Sequence, residues 1–329
     1  MSAPANRAAG ALGPRENPGR RENIVVIGGP TAGGKSEIAL QIAREFGGAV
    51  INADSMQVYQ ELKIVTARPD DAALSAAPHR LYGVLPARER CSAGRWQRLA
   101  LEEIAAAAEA GRLPVVVGGT GLYIKALLDG IAEVPDVPEE RVRAVAAWLD
   151  EAGLEAGRAR LRAVDPATAG RLAAIDRQRL VRALSVFEHS GRPLSAWPAD
   201  RNGAAPLRAF RIAVMPPREE LYRRIDARFA RMVEAGAIDE VRRLDALRLD
   251  PSLPAMKAVG VPQIRAHLNG ETDRATMIAQ GQAASRQYAK RQFTWFRRQY
   301  RSPDAVFAQL SERMRDEMFN KIRQFRLTG

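Results

Sequence analysis

Gly29, Pro30, Thr31, Ala32, Gly33, Gly34, Lys35 and Ser36 fit G-x-x-x-x-G-K-[ST] and directly follow the apolar run Ile24-Val25-Val26-Ile27. In such a loop the glycines let successive backbone N–H groups converge on an anion. The lysine reaches across the phosphates, and the serine hydroxyl can hold Mg²⁺. The pattern gains meaning only between a buried strand and a helix. Both are expected here, with the helix starting near Ser36 and continuing through Glu37-Ile38-Ala39-Leu40-Gln41-Ile42-Ala43. A polyphosphate or a diphosphate is the ligand implied, and the loop alone leaves that choice open.

A second strand over residues 49–53 runs into Asp54-Ser55-Met56-Gln57. Parallel strands bring their ends to the edge that carries the loop, so Asp54 would face the phosphate site as a candidate for proton transfer. An aspartate at a strand end also serves as a turn or helix cap. A third strand over 113–117 ends in Gly118-Gly119-Thr120-Gly121. Many ATPases place a Mg²⁺-binding acid there; small residues instead are expected to let a ligand approach the backbone. Thr120 could donate to that ligand or satisfy its own turn. Further on, Pro217 opens a helix with Leu221, Ile225, Phe229 and Met232 on one face. Arg224, Arg228 and Arg231 form a second stripe, which repels itself unless an anion lies against it or, as a solvated face, Glu220 and Glu234 relieve it. Between Ser285 and Arg298, aromatics alternate with cations, among them Lys290 and Arg291; the cations suit gripping phosphates, while aromatics at this helical spacing either pack into the core or stack on bases.

These candidates need an α/β fold to position them. The expected architecture is a P-loop NTPase-like parallel sheet flanked by helices, with an inserted all-helical subdomain. Residues 23–132 and 204–310 would form the core and 133–203 the insertion, opened by the rigid Pro135-Asp136-Val137-Pro138. Asp176 is the expected N-cap of a helix carrying Leu180, Leu184 and Phe187, with Gln178 and Arg182 on another part of it. Residues 1–22 read as a disordered tail, 198–206 as a loop, and 311–329 as a basic C-terminal segment. The 50 Lys+Arg against 38 Asp+Glu give +12, favouring a polyanionic partner such as nucleic acid. Eleven Lys/Arg against four Asp/Glu follow from Arg286 onward, whereas 133–203 carries eleven of each. Cys91 is the single cysteine, so a disulfide or cysteine-based zinc site within the chain is excluded and a reducing cytoplasm is expected. The three histidines lack metal-ligand spacing. No apolar run approaches membrane-spanning length.

Five stretches together resemble the bacterial tRNA dimethylallyltransferases, in order from about Ile24 to Tyr300. They are the phosphate loop, Asp54 to Tyr59, Gly118 to Tyr123, Gln178 to Leu184 and Arg286 to Arg297. The resemblance implies that the loop holds the diphosphate of dimethylallyl diphosphate and that no ATP is consumed. The prenyl group would pass to the exocyclic amine of adenosine 37, beside the anticodon, releasing diphosphate. It implies Asp54 as the base, Thr31 at the reacting centre, Lys35 and one of Arg224 or Arg228 on the diphosphate, and Mg²⁺ on Ser36. It sets Asp54, Ser55, Met56, Gln57, Thr120, Gln178, Arg179, Leu180, Val181 and Arg182 against the tRNA anticodon stem-loop. A cytoplasmic monomer is expected. Val259-Gly260-Val261-Pro262-Gln263 departs from the family's usual Gly-Tyr followed by a polar pair, which removes a tyrosine near the tRNA. Three other readings remain open on the residues alone: a small-molecule P-loop kinase, a prenyltransferase acting on free adenine nucleotides, and a non-catalytic RNA-binding protein.

Overall fold

The computed structural model describes residues 22–132, 134–172, 176–197, 207–300, 303–308 and 312–328. The tail expected over 1–22, apart from Glu22, and the loop expected over 198–206 lie outside them. The described strands are β1 (Glu22–Gly28), β2 (Ala49–Asn52), β3 (His79–Arg80), β4 (Pro114–Gly118), β5 (Leu207–Val214) and β6 (Ala305–Phe307). They form one sheet in the order β3-β2-β4-β1-β5-β6, and every neighbouring pair is parallel. All six therefore end at the same edge. β1 lies between β4 and β5, with Gly28 opposite Gly118 and Ala213. This sets the loops after β1, β2 and β4 side by side, where open α/β sheets bind ligands.

The strand sequences explain the layering. Ile24, Val26, Ile51 and Val116 enter one core, while Val25, Ile27, Val50, Val115 and Val117 enter the other. Branched apolar residues on both faces are what a parallel strand covered by helices on both sides requires. In chain order the helices are α1 (Lys35–Phe46), α2 (Asp71–Ala76), α3 (Ala93–Glu109), α4 (Gly121–Asp129), α5 (Glu139–Val164) and α6 (Pro166–Arg171). They continue as α7 (Arg177–Ser190), α8 (Arg218–Glu234), α9 (Ala237–Ala246), α10 (Val261–Leu268), α11 (Arg274–Gln299) and α12 (Glu312–Leu327). Trp96 of α3, Ile124 of α4, Phe229 of α8 and Phe296 of α11 pack on the first face. Ile38 and Ile42 of α1 meet Met318 and Ile322 of α12 on the second.

Helices α5, α6 and α7 follow the α4 end and precede β5. They enclose their own core of Val145, Leu149, Leu161, Leu180, Val181 and Leu184. Asp176 caps α7 by accepting from the Arg179 N–H at 3.2 Å. Leu180 and Val181 are thus packing residues of this core, with 3% and 7% exposure. Their side chains face that core. The basic C-terminal segment expected over 311–329 carries α12. α12 buries Met318, Phe319 and Ile322 against the sheet layer, and its cations Lys321 and Arg323 pair with Glu317 and Glu45.

Candidate active site

β1 delivers the phosphate loop to the sheet edge. Gly34 takes φ 91° as it hands the chain to α1, a left-handed geometry that a side chain would oppose. Ala32 holds φ 58° without being glycine, a strained conformation of the kind that persists at functional sites. Lys35 is buried, and its Nζ donates to Pro30 O at 2.6 Å. Burial draws its pKa down to about 8, with Asp54 opposing the shift and Arg228 adding to it. The Thr31 N–H donates to Gln292 Oε1 at 2.8 Å, so that one amide of the loop is committed to the protein.

β2 delivers Asp54. Buried Asn52 holds the turn, accepting from the Asp54 N–H at 2.8 Å and donating to the Asp54 and Leu81 carbonyls, both at 3.0 Å. One carboxylate oxygen, Oδ1, accepts from the Met56 N–H at 2.9 Å. The turn role occupies Oδ1 and leaves Oδ2 without a hydrogen bond among the described residues. Thr120 Oγ1 accepts from the Ser55 N–H at 2.9 Å and donates to Ser55 Oγ at 3.2 Å. The hydroxyl thus braces the loop after β2 and not its own turn. Gly118 and Gly119 line the cleft beside the phosphate loop, as small residues that let a ligand approach would, and protein also packs closely on them. A Cβ on Gly118 would lie 2.0 Å from Ala53 O, and one on Gly119 2.2 Å from Gln292 Nε2. On the side where a Cβ would point, those glycines admit the β2 turn and α11.

α8 supplies the arginine stripe. Arg224, Arg228 and Arg231 line one cleft of about 320 Å³ together with Gly33, Gly34, Lys35, Ser36, Asp54 and Gln57. Four cations face two carboxylates there, Asp54 and Glu37. An anion bound against this stripe would lie between α8 and the loop. Both arginines left undecided by the sequence reach this cleft. Arg224 is paired with Glu220, while Arg228 donates to Thr31 Oγ1 and Thr66 O, each at 3.3 Å. Burial lowers the pKa of Arg228, and Asp54 opposes that shift.

A second cavity of about 220 Å³ adjoins the cleft and shares Thr31, Ala32, Asp54, Thr66 and Arg228 with it. Its deep wall is apolar, built from Val65, Ile225, Ala258 and Phe229, all nearly buried. Its rim carries Lys257, Ser285, Tyr288 and Arg291. Burial and the Asp54 charge both raise the Tyr288 pKa, keeping the phenol protonated and able to donate. The arrangement can hold an anionic leaving group on one side of Asp54 and an apolar chain and a base on the other.

The family model described as IPP transferase matches residues 57–299, and that described as isopentenyl transferase matches 22–88. A tRNA dimethylallyltransferase from Rhodospirillum centenum is 55% identical over 279 residues, covering 84% of this chain and 88% of that protein. One from Rhodospirillum rubrum is 48% identical over 326 residues, covering 97% and 99%. The chain belongs to the tRNA dimethylallyltransferase family. The tRNA isopentenylpyrophosphate transferase structure from Bacillus halodurans superposes with a TM-score of 0.67 at 30% identity, covering 93% of this chain and 97% of that one. A eukaryotic dimethylallyltransferase structure, at 23% identity and a TM-score of 0.71 over 84% and 70% of the two chains, shares the fold.

Within this dimethylallyltransferase, the residues expected at the RNA separate into two groups. Met56 and Arg291 line the second cavity. Gln57 lines the cleft, and its Nε2 donates to the Thr66 and Ala67 carbonyls. Gln178, Arg179 and Arg182 stand exposed on α7, which contributes no residue to either cavity, and Lys290 is exposed on α11. Sequence reasoning missed Asn52, Tyr288 and Gln292. Gln292 falls with Ala289 and Phe296 on the buried stripe of α11, and a glutamine at such a position is the signal that could have found it. Its Nε2 donates to Gly119 O at 2.9 Å while its Oε1 holds Thr31, so α11 ties the loops after β1 and β4 together.

Proposed function

We propose that Asp54 is the proton acceptor of a dimethylallyl transfer to the exocyclic amine of adenosine 37 in tRNA. The observation that carries this is the junction of the two cavities at Asp54, Thr31 and Arg228. The diphosphate of the donor lies in the cation-lined cleft, and its prenyl chain lies against the apolar wall of the neighbouring cavity. Adenosine 37, turned out of the anticodon loop, enters beside the polar rim, as a base must to react outside its stack.

The amine is a weak nucleophile because its lone pair is delocalised into the purine ring. As it attacks C1 of the prenyl group, the C1–O bond to diphosphate breaks and the new C–N bond forms. The amine proton passes to Asp54, whose position is fixed by Asn52 and the Met56 N–H. Negative charge grows on the leaving diphosphate, and Lys35, Arg224, Arg228 and the remaining loop amides neutralise it. Thr31, held through its amide by Gln292 and through its hydroxyl by Arg228, fixes the reacting end of the donor.

The first turn of α1 presents Ser36 to the cleft, and no cluster of three or more His, Cys, Asp or Glu side chains exists among the described residues. That donor set suits Mg²⁺, which keeps waters and takes few protein ligands beside substrate phosphates. When bound there, Mg²⁺ supplies further charge neutralisation to the diphosphate. We further propose a cytoplasmic site of action. No described helix is long and apolar enough to cross a membrane.

Incubation of unmodified anticodon stem-loop RNA with the protein, Mg²⁺ and dimethylallyl diphosphate should add one prenyl mass to adenosine 37. Asp54→Ala should lower kcat by about 10²–10⁴-fold with little change in RNA binding. Equal losses in RNA affinity and turnover would make Asp54 a reader of the base and remove it from proton transfer.

A further inference from the structure

We infer that Phe229 is the residue that limits the donor to one five-carbon unit, by closing the deep end of the apolar cavity. This rests on the reading above, in which the prenyl chain occupies that cavity. The cavity is lined by half-buried Met232 and Val259 and, toward the core, by Val65, Ile225 and Phe229, which have 6%, 3% and 3% exposure. A chain extended from the cleft toward the core therefore meets the Phe229 ring.

Two glycines from separate elements keep that ring in place. Gly281 of α11 lies so close that a Cβ there would fall 2.0 Å from the ring Cζ and 2.3 and 2.6 Å from its two ε carbons. Gly260, just before α10, would set a Cβ 3.2 Å from Cε2 and 3.0 Å from Val65 Cγ2. Backbone thus packs directly against the aromatic ring from two sides. The ring cannot retreat from a longer chain without moving α10 or α11, and close-packed interiors resist such movement. The cost falls on any donor longer than the cavity. Removing the six-carbon ring would free about the space that another five-carbon isoprene unit needs.

The test uses the full-length protein with Mg²⁺ and anticodon stem-loop RNA, and compares dimethylallyl diphosphate with geranyl diphosphate. Wild type should transfer the five-carbon group and reject the ten-carbon one. Geranyl diphosphate should also compete no better than inorganic diphosphate, since its chain finds no seat. In Phe229→Leu and Phe229→Ala the ratio of kcat/KM for the ten-carbon donor to that for the five-carbon donor should rise by about a hundredfold. Folded variants that keep the wild-type ratio would overturn the inference. So would wild type binding geranyl diphosphate as tightly as dimethylallyl diphosphate, a measurement that needs no variant to fold. Failure of wild type to transfer even the five-carbon group would strike the underlying reading instead, and the two failures are therefore distinct.

Discussion

Lys35 donates to Pro30 O from a buried position, and burial draws its pKa from 10.5 to about 8 against the pull of Asp54. The sign of this shift has opposite consequences for folding and for function. The unfolded chain holds the Lys35 proton up to pH 10.5 and the folded chain only to about 8. Stability therefore rises with pH across that window as the penalty of burying charge is relieved. Donor binding needs the ammonium, and a bound diphosphate raises its pKa again. KM for dimethylallyl diphosphate should consequently be flat in this group below pH 8 and rise by up to about tenfold per pH unit above it. Initial rates between pH 7 and 10, with RNA saturating, check this. Lys35→Met removes the buried charge, so it should abolish that pH limb while melting no lower than wild type near pH 7. A limb that persists in the variant would have to come from another group. One side chain thus costs stability in the free protein and supplies charge to the site, as residues placed for catalysis often do.

At the scale of elements, the segment over residues 63–67 shows how a cleft wall is fixed by a residue far from it. Glu240 of α9 is 4% exposed, and its carboxylate accepts from the Lys63, Ile64 and Val65 N–H groups at 2.8, 2.8 and 2.9 Å. That grip sets Thr66, whose carbonyl receives Arg228 and Gln57, and Val65, which walls the apolar cavity. Glu240→Ala leaves three donors without their acceptor, at roughly 1–3 kcal/mol for each that stays buried. It should lower the melting temperature and raise KM for the donor, while Glu240→Gln, which keeps one acceptor oxygen, should recover part of both. A donor KM equal to wild type in a destabilised Glu240→Ala would limit the residue to stability.

The same element explains what the sequence could and could not disclose. β1, β2, β4 and β5 were legible because apolar runs between glycine turns are long enough to carry a pattern. β3 and β6, with two and three residues, are too short for one. The phosphate loop and Asp54 could be found because their chemistry is local. Glu240 reaches its partners across at least 175 positions and Gln292 reaches Thr31 across 261, and no local window contains both ends of such a contact. Gly118 and Gly119, which line the cleft and also abut the β2 turn and α11, show a related limit. A small residue announces a close approach without saying whether ligand or protein makes it.

Over the whole molecule, net charge of +12 says less than the placement of unpaired cations. On α12, Lys321 and Arg323 are matched to Glu317 and Glu45, and the helix covers the sheet face built with α1. On α11, Lys290, Arg297 and Arg298 are exposed and form no ion pair among the described residues. Lys290, Arg291 and Arg298 line a shallow groove with half-buried Trp295, and Arg291 also lines the apolar cavity. That shared residue sets the groove beside the apolar cavity, and on the function proposed above an RNA strand feeding a base to Asp54 would run its phosphates along α11. Cation release from RNA makes binding fall with salt, by about 0.7–0.9 in the log–log slope for each phosphate contact. Lys290→Ala combined with Arg298→Ala should therefore flatten the salt dependence of stem-loop binding by about 1.5, leaving kcat at saturating RNA near its wild-type value. Lys321→Ala combined with Arg323→Ala removes the same charge from α12 and should leave the slope unchanged. If the two pairs shifted the slope equally, binding would respond to total charge, and the path along α11 would be excluded.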